Sequence, residues 1–226
     1  PGSIDEVATW NRSLSISEIT TLYNSGAPGN LMALSDKPVA YWPLGEQARR
    51  GSEWQFPNEV LQSQVFDFDG STDYISAGSL SYITSNVFTI SGWIKATTSP
   101  PTYMPLFNFQ NSSGIGSKFG WNHGAAPILW YSGSTYKYFL SGSWRTDGLW
   151  HNVVLVIDRT TIGNSKLYVD GNEISGGTTG GSGSMVLNDL HLGYNPTTLQ
   201  SLLGTSLSQR KAFMKKLKLD FDKLEK

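Results

Sequence analysis

An all-β chain folded as a two-sheet antiparallel sandwich is what this sequence predicts, and three features carry the prediction. Short apolar or alternating runs recur along most of the 226 residues, with Gly, Ser, Thr, Asn or Asp clusters between nearly all of them. Charged residues make up 15% and aromatics 12%, a profile of short strands and many turns rather than of a helical bundle. The crossover helices that a parallel sheet needs are not visible between the runs.

The first run, Ile4-Asp5-Glu6-Val7-Ala8-Thr9-Trp10-Asn11, has apolar groups on both alternating faces, which suits a strand inside a sheet. Ser15-Ile16-Ser17-Glu18 is a capping box, and Ile19, Leu22 and Tyr23 follow on one helical stripe. A short helix is therefore expected over about 17–24, stopped by Gly26 in a left-handed conformation. Residues 27–38, opening on Ala27-Pro28-Gly29-Asn30, read as turn and linker. Further strands are expected at 39–44, where Pro43 argues for an edge or a broken ladder, and at 65–69, 73–76, 87–96, 103–109, 118–121, 128–131, 136–140, 150–158, 166–169 and 186–193. Asp170-Gly171-Asn172 marks the tightest hairpin. After Pro196 the pattern changes: Leu207, Phe213, Leu217, Phe221 and Leu224 recur at near-helical spacing among lysines and acids. That is an amphipathic C-terminal helix, either packed on its own sandwich or serving as a docking or self-assembly element. The organisation expected is a first strand and helix in 1–26, a linker in 27–38, the sandwich in 39–198 and a helical tail in 199–226.

With 17 basic and 18 acidic residues the net charge is −1, so no long-range field gathers phosphates or anionic lipid, and nucleic acid is not an expected partner. Cysteine is absent, which removes thiolate chemistry and sulfur-ligated zinc. No apolar run approaches the roughly 18 residues of a membrane-spanning helix, and a soluble chain without membrane insertion is expected. Pro1 in place of an initiator methionine fits a processed product or a piece of something longer.

Several phrases resemble one known family, the laminin-G-like jelly-roll domains related to concanavalin A-like lectins and glucanases and to pentraxins. They are Phe68-Asp69-Gly70-Ser71-Thr72-Asp73-Tyr74-Ile75, Phe88-Thr89-Ile90-Ser91-Gly92-Trp93-Ile94-Lys95, and the pair Trp150-His151-Asn152-Val153-Val154 and Lys166-Leu167-Tyr168-Val169-Asp170-Gly171. The segment from Ile4 to Ser15 is similar to the family's closing strand and following helix, which that family places last; here they come first. After Leu192-Gly193-Tyr194-Asn195-Pro196, where the resemblance implies that strand, the chain offers Leu199-Gln200-Ser201-Leu202-Leu203 and then the charged helix. Three arrangements account for this. The domain is permuted and residues 4–11 fill their own sandwich, or they finish a preceding domain in a tandem array, or they complete a neighbouring copy by strand exchange.

Candidate chemistry is sparse. His123, His151 and His191 do not place two ligands on one helical face, and His151 reads as a core or edge residue. No serine sits in a nucleophile-elbow pattern. The sugar-cleaving relatives that the resemblance brings in carry alternating carboxylates on one strand; Asp67 with Asp69, or Asp5 with Glu6, do not reproduce that alternation, so no enzyme is expected. Calcium is the metal that suits hard oxygen ligands without thiols, and the resemblance implies a calcium at the sandwich rim. Asp5, Asp69 and Asp73 are the candidate ligands if the first strand lies beside the early one; otherwise they cap turns. For a glycan, whose rings stack on aromatics and whose hydroxyls need donors and acceptors, the candidates are Trp121, Asn122, His123 and Tyr136. The function expected is a non-catalytic binding or adhesion module recognising a glycan or a surface protein, within a larger extracellular, cell-surface or virion structural protein. The alternatives are a subunit self-assembling into homo-oligomers by strand exchange and helix packing, and a glycoside hydrolase.

Overall fold

A computed structural model describes residues 2–42, 66–68, 74–96, 104–110, 116–121, 126–132, 135–140, 142, 144, 146–180 and 185–193. The strands are β1 (Gly2–Trp10), β2 (Ala40–Trp42), β3 (Phe66–Phe68), β4 (Ile75–Ser79), β5 (Val87–Ala96), β6 (Met104–Asn108), β7 (Lys118–Trp121), β8 (Pro127–Ser132), β9 (Thr135–Phe139), β10 (Trp150–Asp158), β11 (Lys166–Val169), β12 (Asn172–Ile174), β13 (Gly176–Thr179) and β14 (Asp189–Leu192). One helix, α1 (Ile16–Tyr23), follows the first strand. Two antiparallel seven-stranded sheets result: β12-β11-β10-β5-β1-β2 with β3 also on β1, and β13-β9-β8-β7-β6-β14-β4. All of this lies in the unit spanning residues 1–194; the helix expected in 199–226 falls outside the described residues.

The first strand is inserted in its own chain's sheet. β1 pairs along its length with β5, from Gly2 opposite Ala96 to Trp10 opposite Thr89. Its other side is shared: β3 pairs with residues 2–4 and β2 with residues 7–9. The change of partner coincides with a bulge, because Asp5 faces Trp93 while Ala8 faces Ser91, three steps on β1 against two on β5. The extra residue is accommodated at Glu6, whose φ is 51°. Gly92 lies across from it, and a Cβ there would stand 3.2 Å from Val7 Cγ2 and 3.5 Å from the Phe107 ring.

Both faces of this sheet are covered, which is why β5 and β10 are buried almost without interruption. Towards the second sheet, Ile4, Val7, Phe88, Ile90, Val153 and Leu155 meet Phe107, Phe119, Leu129 and Leu192 in the main core. On the opposite face Ala8, Trp10, Val154, Val156 and Tyr168 are closed over by Ile19 and Leu22 of α1 and by Leu31. Each such aliphatic burial stabilises the fold by about 1.5–3 kcal/mol. The helix starts as its sequence demands: Ser15 Oγ accepts from the Glu18 amide at 3.3 Å, and Glu18 Oε2 accepts from the Ser15 amide at 2.8 Å.

Three local expectations differ from what is found. The left-handed stop of α1 begins at Asn24 (φ 43°) and Ser25 (φ 56°), before Gly26 (φ 96°), because asparagine tolerates that conformation and caps the helix itself. The segment 27–38 is more than a tether, since Leu31–Ala33 forms a 3-10 turn whose Leu31 is buried. A strand is also present at Gly176–Thr179 that the sequence does not announce, because Gly-Gly-Thr-Thr has no apolar alternation and is held by backbone pairing to β9.

Candidate functional site

Of the metal candidates, Asp69 and Asp73 lie outside the described residues. Asp5 is 5% exposed in the bulge of β1, and its Oδ1 accepts from the Glu6 amide at 2.9 Å. The first strand does lie beside the early one, with Gly2 opposite Phe68 and Ile4 opposite Phe66. Among the described residues, no three His, Cys, Asp or Glu side chains come together to hold a metal ion.

His151 is buried in a polar clip. Its Nδ1 lies 2.7 Å from Asp170 Oδ2, and its Nε2 lies 3.1 and 3.2 Å from the two carboxylate oxygens of Asp147. Asp170 Oδ1 also accepts from the Asn152 amide at 2.9 Å. Asp170 (φ 52°) and Gly171 (φ 78°) are the two left-handed residues of the β11–β12 hairpin, so the imidazole ties this turn to the loop carrying Asp147. The Leu149 amide, first among several contributions, holds the Asp147 carboxyl below its ordinary range. The arrangement anchors the two loops to each other.

The outer face of the second sheet is different. Alternation sends Phe107, Phe119, Leu129, Phe139 and Leu192 into the core, leaving their neighbours on the other side. Strand register aligns these neighbours in one line across seven strands: Thr179 opposite Tyr136, Tyr136 opposite Trp130, Trp130 opposite Lys118, Lys118 opposite Asn108, Asn108 opposite His191, and His191 opposite Ser76. From Tyr136 to His191 the line crosses four strand spacings, roughly 19 Å. The rings of Trp130 and Tyr136 lie 5.8 Å apart and tilted by 51°, and Lys118 Nζ sits 5.4 Å from the Trp130 centroid. At the far end Tyr74, 41% exposed, lies 6.1 Å from the His191 ring. Tyr138, on the same side of β9 as Tyr136, is 39% exposed. Burial pushes the Lys118 ammonium and the His191 imidazole down from their ordinary pKa values.

Tyr136 is thus the one predicted glycan residue on this line. Trp121 ends β7 opposite Met104 and Pro127, three positions from Lys118, and Asn122 and His123 lie outside the described residues. The line itself was not legible beforehand. Its members come from seven strands, and what joins them is register, which the pairing of the whole sheet sets.

A family model described as the concanavalin A-like lectin/glucanases superfamily matches residues 69–209, more than half of the chain. The chain belongs to this superfamily. No curated protein matches it. The superfamily match begins after β1, α1, β2 and β3, so the inserted strand at the middle of the first sheet lies outside the matched segment although it fills a place within the same sandwich.

Proposed function

We propose that this concanavalin A-like domain is a non-catalytic carbohydrate-binding module, and that the outer face of the second sheet holds the glycan. The observation that carries the reading is the register line Tyr136–Trp130–Lys118–Asn108–His191. It combines ring faces for sugar stacking with an ammonium and an imidazole for hydroxyls, along a strip long enough for several sugar units. Sugar cleavage needs two facing carboxylates, and this line contains none. In this reading the module sits in a larger protein on the outside of a cell or virion and serves adhesion. The family's name, which speaks of lectins as well as glucanases, supports binding in general.

The test is a glycan array followed by titration of the best hit. Trp130→Ala and Tyr136→Ala are each expected to weaken binding at least tenfold, with circular dichroism unchanged. Wild-type affinity in both variants, or a chain that binds no glycan, overturns the reading.

A further inference from the structure

Arg159 follows β10 at the end of the sandwich and is half-buried. Its backbone is fixed from both sides, the amide donating to Asn86 O at 2.8 Å and the carbonyl accepting from Met185 N at 2.9 Å. Its guanidinium is not comparably satisfied. Nη1 donates to Ser85 O at 3.3 Å, while Nε is buried without a hydrogen-bond partner. The adjacent carboxylate, Asp158, is committed to its own loop through the amides of Thr160 and Thr161, the Thr160 hydroxyl and the Asn164 side chain. Among the described residues no carboxylate comes within ion-pair distance of Arg159. A guanidinium is a rigid fork suited to a carboxylate, and burying one without an anion is unfavourable.

Arg159 lines a cleft of about 380 Å³ whose polar walls are Ser79, Ser81, Asn188 and Asp189, with Leu80, Ile83 and Leu187 on its apolar side. Asp189 stands opposite Ser79 in the β14–β4 ladder and is two residues from His191, on the same side of β14. The cleft therefore continues the sheet face at its His191 end. Arg159 supplies a site for one negative charge. Asp189, an acceptor that is itself negative, takes hydroxyl donors and repels a second charge.

We propose that this cleft binds the carboxylate end of a polyhydroxylated monocarboxylate, a sugar acid, with Arg159 on the carboxylate and Asp189, Ser79 and Ser81 on the hydroxyls. The inference rests on the carbohydrate-binding reading and narrows it to acidic glycans.

The test uses the full chain, observed by amide NMR during titration with glucuronate, glucose and inorganic phosphate. Glucuronate is expected to shift the amides of residues 79–81 and 187–189 saturably, and glucose and phosphate to bind at least tenfold more weakly. Arg159→Gln should weaken glucuronate at least tenfold, and Arg159→Lys should recover part of that loss, which excludes a mere folding defect. Asp189→Asn should admit phosphate. Undiminished glucuronate binding in Arg159→Gln, equal binding of glucose or phosphate by the wild type, or no response to glucuronate overturns the proposal. The two readings fail separately. Array binding that is lost in Tyr136→Ala but kept in Arg159→Gln removes the cleft and leaves the sheet face, whereas the opposite pattern removes the sheet face.

Discussion

Glu6, held at φ 51° in the bulge of β1, accepts the phenolic proton of Tyr41 in β2. The bond spans the point where β1 changes partner from β3 to β2, so a backbone irregularity and a buried carboxylate are stabilised together. Glu6 is 6% exposed, and a carboxylate so placed depends on its donors. Tyr41→Phe removes one of them and is expected to cost about 1–3 kcal/mol, read as a lower urea midpoint with an unchanged slope. A midpoint equal to wild type would show that the bond does not hold the bulge.

The opposite side of the same bulge gives a steric prediction. Gly92→Ala places a methyl group 3.2 Å from Val7 Cγ2 in the middle of the core, closer than ordinary contact, and the packed surroundings on both sheets leave little room to move. A loss of about 1–3 kcal/mol is expected. Val7→Ala in the same chain should recover part of it, a coupling that a double-mutant cycle measures.

Deleting residues 1–14 removes β1 from between β5 and β2 and strips Val7, Ala8 and Trp10 from two apolar clusters. The truncated chain is expected not to fold, and to show neither cooperative thermal unfolding nor dispersed amide resonances. If it folds as a stable monomer, the strand is an accessory rather than part of the sandwich. Supplying residues 1–14 as a peptide in excess should restore folding in proportion to peptide concentration.

The sequence made the sandwich legible because its strands obey local rules. β5, β7, β10 and β11 were placed to the residue, since apolar runs and flanking turn residues agree there. The insertion of residues 4–11 in a sheet is legible too, from apolar groups on both faces, but the sandwich that receives them is not. Pairing partners are non-local, and no spacing within the strand encodes them. The candidate site was read less well. Tyr136 lies on the aromatic line, whereas Trp130, Lys118 and His191 entered no predicted site. Strand register alone sets them in a row, and Arg159 stands out because no carboxylate among the described residues pairs with it, rather than by any motif.

The His151 clip predicts an effect confined to one hairpin. Asp170→Ala leaves the buried Asn152 amide and the His151 Nδ1 without their acceptor and places alanine at φ 52°, which aspartate and asparagine tolerate better. A loss of about 2–4 kcal/mol is expected from these two costs. Asp170→Asn keeps the conformation and an acceptor, and should lose distinctly less. Hydrogen exchange should place the extra opening in β11 and β12; equal losses for the two variants would remove the carboxylate from the explanation.

Acid stability should fall in two stages. Burial depresses the His191 pKa from 6.5, so the unfolded chain takes up a proton there more readily than the folded one. Stability from this group is complete above pH 6.5 and is lost as pH falls through the lower folded value. The carboxylates act further down. The Arg12 guanidinium, ahead of the Ser15 amide, pulls Glu18 from 4.5 to about 2. Burial works against the charge on Asp158, but bonds from Asn164, Thr160 and Thr161 overcome it and lower its pKa as well. Their stabilisation is present above the ordinary carboxylate range and disappears as pH falls from about 4.5 towards 2. Arg12 and Glu18 are each more than a third exposed, so the contribution of that pair is small and should shrink further in salt. Denaturation midpoints measured from pH 8 to pH 2 should therefore decline first below pH 6.5, a step that His191→Gln removes, and again below about 4.5, a step that Glu18→Gln reduces. A profile for His191→Gln that overlays the wild type between pH 7 and 5 would exclude the imidazole as the source of the first decline.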